Sequence, residues 1–130
     1  LLALGSEQPE DAPLPRILLI EDDANVRMLM EHVLLRAEYE VDVTSTVEQA
    51  QAMLEARGYD LVIADGRLPD GSGLTLARIA NKQGIPNFIV TAYGFDLMKD
   101  GLGQFEFLLK PVRPDELLQA VERALSGQRT

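Results

Sequence analysis

Cysteine is absent from this chain and histidine occurs once, as His32. The first absence excludes a disulfide framework and any thiolate metal site. With a single histidine, zinc would have to bind mainly through carboxylates, which is unusual for that ion. Cationic side chains are also scarce: 12 Lys and Arg stand against 21 Asp and Glu, a formal net charge of −9. Gripping nucleic-acid phosphates needs a basic face, so direct nucleic-acid binding is not expected. The same balance disfavours a polybasic membrane anchor. No apolar run approaches the about 20 residues of a membrane-spanning helix. The opening Leu-Leu-Ala-Leu is too short, and lacks the basic flank, for a signal peptide. A cytoplasmic location is the expectation, and the missing initiator Met suggests an excised segment or a processed start.

What is present fits one ordinary globular domain: 130 residues, 46% of them hydrophobic and 25% charged. Residues 1–15 carry Pro9, Pro13 and Pro15 among acidic residues and read as a tail or linker. From Arg16 two patterns alternate. Short apolar or β-branched runs at Ile17–Ile20, Val41–Thr44, Leu61–Ala64, Phe88–Val90 and Phe105–Leu109 predict strands buried on both faces. Helical spacing links Val26, Leu29, Met30, Val33 and Leu34, and recurs over Val47–Ala56, with Gly58 as a plausible cap, and over Leu74–Lys82, followed by Gly84. The last predicted helix runs from Pro114 to Leu125, with Asp115 and Glu116 suiting its N-terminal dipole. Between Gly94 and Gly103 the pattern is weak. Phe95, Leu97, Met98 and Leu102 could form one apolar stripe, but the glycines make any helix there short. Strict alternation predicts an α/β fold, a doubly wound five-stranded parallel sheet with helices on both faces. The domain is expected over 16–127, with 128–130 as a C-terminal tail.

Ligands of such sheets bind at the carboxyl ends of the strands. There the first strand delivers Glu21-Asp22-Asp23, the third Asp65, the fourth Thr91 and the fifth Lys110. Any one of these residues is commonly a cap or a strand exit; their joint arrival at one rim is not. Crowded carboxylates repel unless a cation joins them, and hard oxygen ligands suit Mg²⁺, which favours phosphate as a co-ligand. Asp65 is then the candidate nucleophile, forming an aspartyl-phosphate. Lys110 offers a positive charge and Thr91 a hydroxyl for the phosphoryl oxygens.

In order and spacing, the segments Arg16–Asp23, Tyr59–Asp65, Leu68-Pro69 with Gly73, Val90–Tyr93 and Phe107–Pro111 resemble the receiver domains of two-component response regulators, the CheY-like superfamily. That resemblance implies a flavodoxin-like sheet of order 2-1-3-4-5. It implies that Glu21 and Asp22 hold Mg²⁺ together with Asp65 and the backbone carbonyl of Arg67, with Asp23 outside that set. It makes Asp65 the phosphoacceptor, Thr91 and Lys110 the pair that contacts the phosphoryl group, and Thr91 and Phe107 the switch residues. Arg67 and Tyr93 fall where side chains tune the lifetime of the phosphoryl group, and Lys110-Pro111 where a cis peptide is usual. The implied partners are a sensor histidine kinase or histidine phosphotransfer protein, and a downstream protein or fused domain. Catalysis would extend only to the chain's own phosphorylation and dephosphorylation.

Two departures stand out. Glu21 replaces the commoner aspartate, and the stretch from Thr91 to Lys110 is about three residues short, roughly one helical turn. The shortening keeps alive an alternative reading as an interaction module with an impaired switch, and leaves the oligomeric state open. A Mg²⁺-dependent phosphoryl enzyme on a similar sheet is the other alternative. Against it, Asp65 is followed by Gly66-Arg67 rather than a second acid, and the acidic loop after strand one suits neither a dehalogenase-type nucleophile nor a bound FMN phosphate.

Overall fold

The computed structural model describes residues 13–127. The readings of residues 1–12 and 128–130 as tails lie outside the described residues. Five parallel strands form the sheet: β1 (Arg16–Ile20), β2 (Glu40–Thr44), β3 (Leu61–Asp65), β6 (Asn87–Thr91) and β7 (Phe107–Leu109). Their order is β2-β1-β3-β6-β7, which is 2-1-3-4-5 when the sheet strands alone are counted. The remaining two, β4 (Arg67–Leu68) and β5 (Gly71–Ser72), make a small antiparallel pair beyond the end of β3.

Strand alternation builds two cores. Leu18, Ile20, Val62, Ala64 and Ile89 face one side, where α2 (Val47–Ala56) and α3 (Gly73–Lys82) bring Ala50, Leu54, Leu76 and Ala80. Ile17, Leu19, Leu61, Ile63, Phe88 and Val90 face the other, against Met30 and Leu34 of α1 (Ala24–Arg36) and Leu117, Val121 and Ala124 of α5 (Pro114–Leu125). The strands carry apolar residues at consecutive positions because both faces are covered. Asp23 caps α1, its carboxylate accepting from the N–H groups of Asn25 and Val26. Pro114 opens α5, and Glu116 accepts from the Arg113 N–H.

Three local expectations need correction. The last strand begins at Phe107 rather than Phe105, because the Phe105 N–H still closes a turn onto the Leu102 carbonyl at 2.9 Å. Gly58 does not cap α2; Arg57 already leaves the helix with an extended backbone (φ −158°). Over Gly94–Gly103 the fourth helix is short, as expected, but Phe95 and Met98 leave the single apolar stripe. One α-turn, α4 (Gly94–Leu97), gives way to 3₁₀ turns at Met98–Asp100 and Leu102–Gln104 around a left-handed Gly101. Leu97 and Leu102 are buried on either side of that break, whereas Phe95 is 93% exposed and Met98 half-exposed. Arg78 of α3 ties the irregular segment down, donating to the Asp100 carbonyl at 2.8 Å.

Candidate functional site

Parallel register carries the ends of β1, β3, β6 and β7 to one edge of the sheet. Glu21 follows β1 and is 1% exposed, Asp65 ends β3 and is 7% exposed, and Thr91 ends β6 fully buried, while Asp22 faces solvent. One carboxylate oxygen from each of Glu21, Asp22 and Asp65 lies within 4.8 Å of the others. Lys110, just past β7, joins two of these acids, its Nζ lying 2.8 Å from Glu21 Oε1 and 3.0 Å from Asp65 Oδ2. The Lys110-Pro111 peptide is cis, as expected. Glu21, Asp22, Asp65 and Lys110 line a cleft of about 490 Å³ together with Pro69, Ala92, Arg67 and Tyr93.

Backbone donors hold the acids in place. The Asp23 N–H donates to Glu21 Oε2 at 3.1 Å, and the Arg67 N–H to Asp65 Oδ1 at 3.2 Å. Arg27 donates to the Glu21 carbonyl, pinning the turn itself. Asp23 is engaged in capping α1. Two glycines set the spacing around Asp65. A Cβ on Gly73 would lie 2.1 Å from the Asp65 carbonyl oxygen, and one on Gly66 would lie 2.7 Å from Thr91 Oγ1. Only hydrogen fits at either position, so the start of α3 and the exit of β6 close directly on the end of β3. Asp70, at the tip of the β4–β5 turn, accepts from the Val47 and Glu48 N–H groups at 2.7 and 3.0 Å, which fastens this loop to α2.

Burial pushes the Glu21 carboxyl up to about 7, with Asp65 adding to the effect and Lys110 opposing it. Burial pulls Lys110 down, but its bonds to Glu21 and Asp65 outweigh that and leave its pKa raised. Lys110 relieves part of the crowding of these acids, and the raised Glu21 pKa marks what remains. A divalent ion would relieve it without protonation. Three hard oxygen donors within 4.8 Å fit a Mg²⁺ shell, whose opposite ligands are about 4 Å apart.

The Arg67 and Tyr93 side chains meet at the border of the cleft rather than on the acids. The Arg67 guanidinium pairs with Asp96 at 3.0 Å and stacks 4.0 Å from the centre of the Tyr93 ring. Phe107 is half-buried against the α2–α3 core and stands opposite Ile89, while Thr91 stands opposite Leu109. Thr91 Oγ1 accepts from the Tyr93 N–H at 3.0 Å. Asp96 was missed from the sequence. Its partner lies 29 positions away on another loop, and no local pattern marks such a pair.

The sequence matches the response regulator receiver domain family over residues 17–122. The chain belongs to that family. The receiver domain is 35% identical over 115 residues to the response regulator protein PilR of Pseudomonas aeruginosa, an alignment covering 85% of this chain and 26% of that protein. It is 38% identical over 108 residues to the two-component response regulator EHD1 of Oryza sativa, covering 78% of this chain and 32% of that protein. The chain therefore spans only about a quarter to a third of these relatives. Among solved structures, a CheY-like receiver domain protein from Methanospirillum hungatei superposes with a TM-score of 0.80 at 29% identity, covering 88% of this chain and 96% of that one. TrrA from Thermotoga maritima, solved in complex with Mg(2+)-BeF, superposes with a TM-score of 0.78 at 31% identity, covering 86% of this chain and all of that one. Receiver domains are signalling domains rather than classical enzymes. Among the described residues no helix is long and apolar enough to cross a membrane.

Proposed function

We propose that this receiver domain takes a phosphoryl group from the phosphohistidine of a sensor kinase or phosphotransfer protein onto Asp65, in the cytoplasm. The observation that carries the reading is the meeting of Glu21, Asp22, Asp65 and Lys110 at one sheet edge. Glu21, Asp22, Asp65 and the Arg67 carbonyl would hold Mg²⁺, which supplies neutralisation of the charge on the transferring group. The chain's own residues do the remaining work. Asp65 presents Oδ1 and Oδ2 on fixed partners, so the nucleophile is oriented before the donor arrives. Lys110 already bridges Asp65 and Glu21, and can turn from the carboxylates to a phosphoryl oxygen with little motion. Thr91 supplies a hydroxyl once it leaves the Tyr93 N–H.

Phosphorylation adds nearly two negative charges beside Asp65, enough to bias a two-state element. In this reading Thr91 and Phe107 report the change, and the output acts on a downstream protein or another domain. The Phe107 ring has no hydroxyl, so its part in the switch is burial rather than a phenol hydrogen bond. Arg67 and Tyr93, stacked on one another at the cleft, slow the hydrolysis that ends the signal. The chain's own catalysis is confined to gaining and losing this phosphoryl group. The test is incubation with radiolabelled acetyl phosphate and Mg²⁺. Acid-stable, base-labile label is expected on the native chain and none on Asp65→Asn; equal labelling of both sinks the assignment.

A further inference from the structure

The Arg67 guanidinium is held from two directions, by Asp96 Oδ2 at 3.0 Å at its edge and by the Tyr93 ring at 4.0 Å across its face. These contacts join the loop after β3 to the single turn of α4, at the border of the cleft that Arg67 and Tyr93 line. Asp96 is more than half exposed. An exposed pair of this kind adds little to folding, yet it decides where a long, otherwise free side chain rests. We propose that Asp96 is a positioning residue for the phosphorylated state: by keeping Arg67 flat on Tyr93, it maintains a two-residue wall on the solvent side of the acceptor and slows loss of the phosphoryl group. The proposal rests on Asp65 being the acceptor.

The step concerned is hydrolysis. A water oxygen bonds to phosphorus as the bond from phosphorus to the Asp65 carboxyl oxygen breaks. The bonding pair stays with Asp65, which returns to carboxylate, and the water's proton leaves with inorganic phosphate or to solvent. In-line attack requires that water arrive opposite the Asp65 oxygen, from the open side of the cleft. A pinned arginine obstructs that approach continuously, whereas a free one does so for only part of its time, because its rotamers are many.

The chain is phosphorylated with radiolabelled acetyl phosphate and Mg²⁺, the donor is removed, and the half-life of the label is followed. Asp96→Ala and the isosteric Asp96→Asn should each shorten it about two- to five-fold, the range open to an exposed ion pair reinforced by a cation–π contact. In an Arg67→Ala background Asp96→Ala should change nothing further, and high salt should narrow the gap between native chain and variant. An unchanged half-life in Asp96→Ala, or an equal shortening when Arg67 is absent, overturns the proposal while leaving Asp65 as the acceptor. Failure of every chain, native included, to take Asp65-dependent label overturns the acceptor assignment and this proposal with it.

Discussion

Glu21 should make the stability of this receiver domain depend on pH and on metal, in a direction that can be worked out in advance. Unfolded, its carboxyl loses a proton near 4.5; folded and metal-free, it holds the proton to about 7. Between those values the native state binds more protons than the unfolded one, so stability falls as pH rises. The contribution is complete below 4.5 and is lost as pH climbs through about 7. A shift of that size corresponds to more than about 3 kcal/mol, and to about 2–3 kcal/mol once water on the open, Asp22 side of the cleft is allowed for.

The assay is urea unfolding followed by circular dichroism, comparing the native chain with Glu21→Gln in chelator and in Mg²⁺. In chelator the two should be alike near pH 4.5, with the glutamine variant gaining an advantage of about 2–3 kcal/mol by about pH 8. Adding Mg²⁺ at a hundredfold excess over its dissociation constant should return about 2.7 kcal/mol to the native chain. It should return much less to Glu21→Gln, which lacks that anionic oxygen. A gap that does not vary with pH would refute the protonation argument. Equal stabilisation of both chains by Mg²⁺ would refute Glu21 as a ligand.

Two further outcomes follow from packing. Gly73→Ala places a methyl 2.1 Å from the Asp65 carbonyl oxygen, so urea unfolding should show a loss of about 1–3 kcal/mol; a loss under about 0.5 kcal/mol would mean that α3 can slide away freely. Leu102→Ala should cost about 2–5 kcal/mol in the same assay, because the side chain is fully buried, whereas Phe95→Ala should stay within about 0.5 kcal/mol. Equal effects would contradict the inward turn at Gly101.

Sheet and site were legible because both are written locally. Runs such as Leu61–Ala64 announce a strand buried on both faces, and parallel connectivity then sends every strand end to the same edge. Glu21, Asp65, Thr91 and Lys110 could be grouped without knowing a single distance. Features decided by long-range pairing were not legible. Asp70 fastens to the first turn of α2 and Asp96 to Arg67, each across more than twenty positions. The glycines of Gly94–Gly103 foretold a short fourth helix, but not which of its apolar residues turn inward: Leu97 and Leu102 are buried on either side of the left-handed Gly101, while Phe95 and Met98 are exposed.

That irregular segment is nonetheless linked to the end of β6 and to the neighbourhood of Asp65. Thr91 Oγ1 takes the N–H of Tyr93, and the Tyr93 carbonyl takes the N–H of Leu97 at 3.0 Å, closing the one turn of α4. Gly66, next to Asp65, leaves so little room that a methyl there would lie 2.4 Å from Leu97 Cδ1. A Thr91 hydroxyl drawn to a phosphoryl oxygen would strip the Tyr93 N–H of its acceptor, and a buried or half-buried donor left alone costs about 1–3 kcal/mol. The turn must then shift to find water or another partner, carrying Leu97 and the Arg67–Tyr93–Asp96 contacts with it. A full-length fourth helix would resist such a shift with successive backbone hydrogen bonds; a single turn followed by 3₁₀ turns has few to lose. If Asp65 is the acceptor, the short turns lower the cost of moving this segment in response to it rather than disconnecting it.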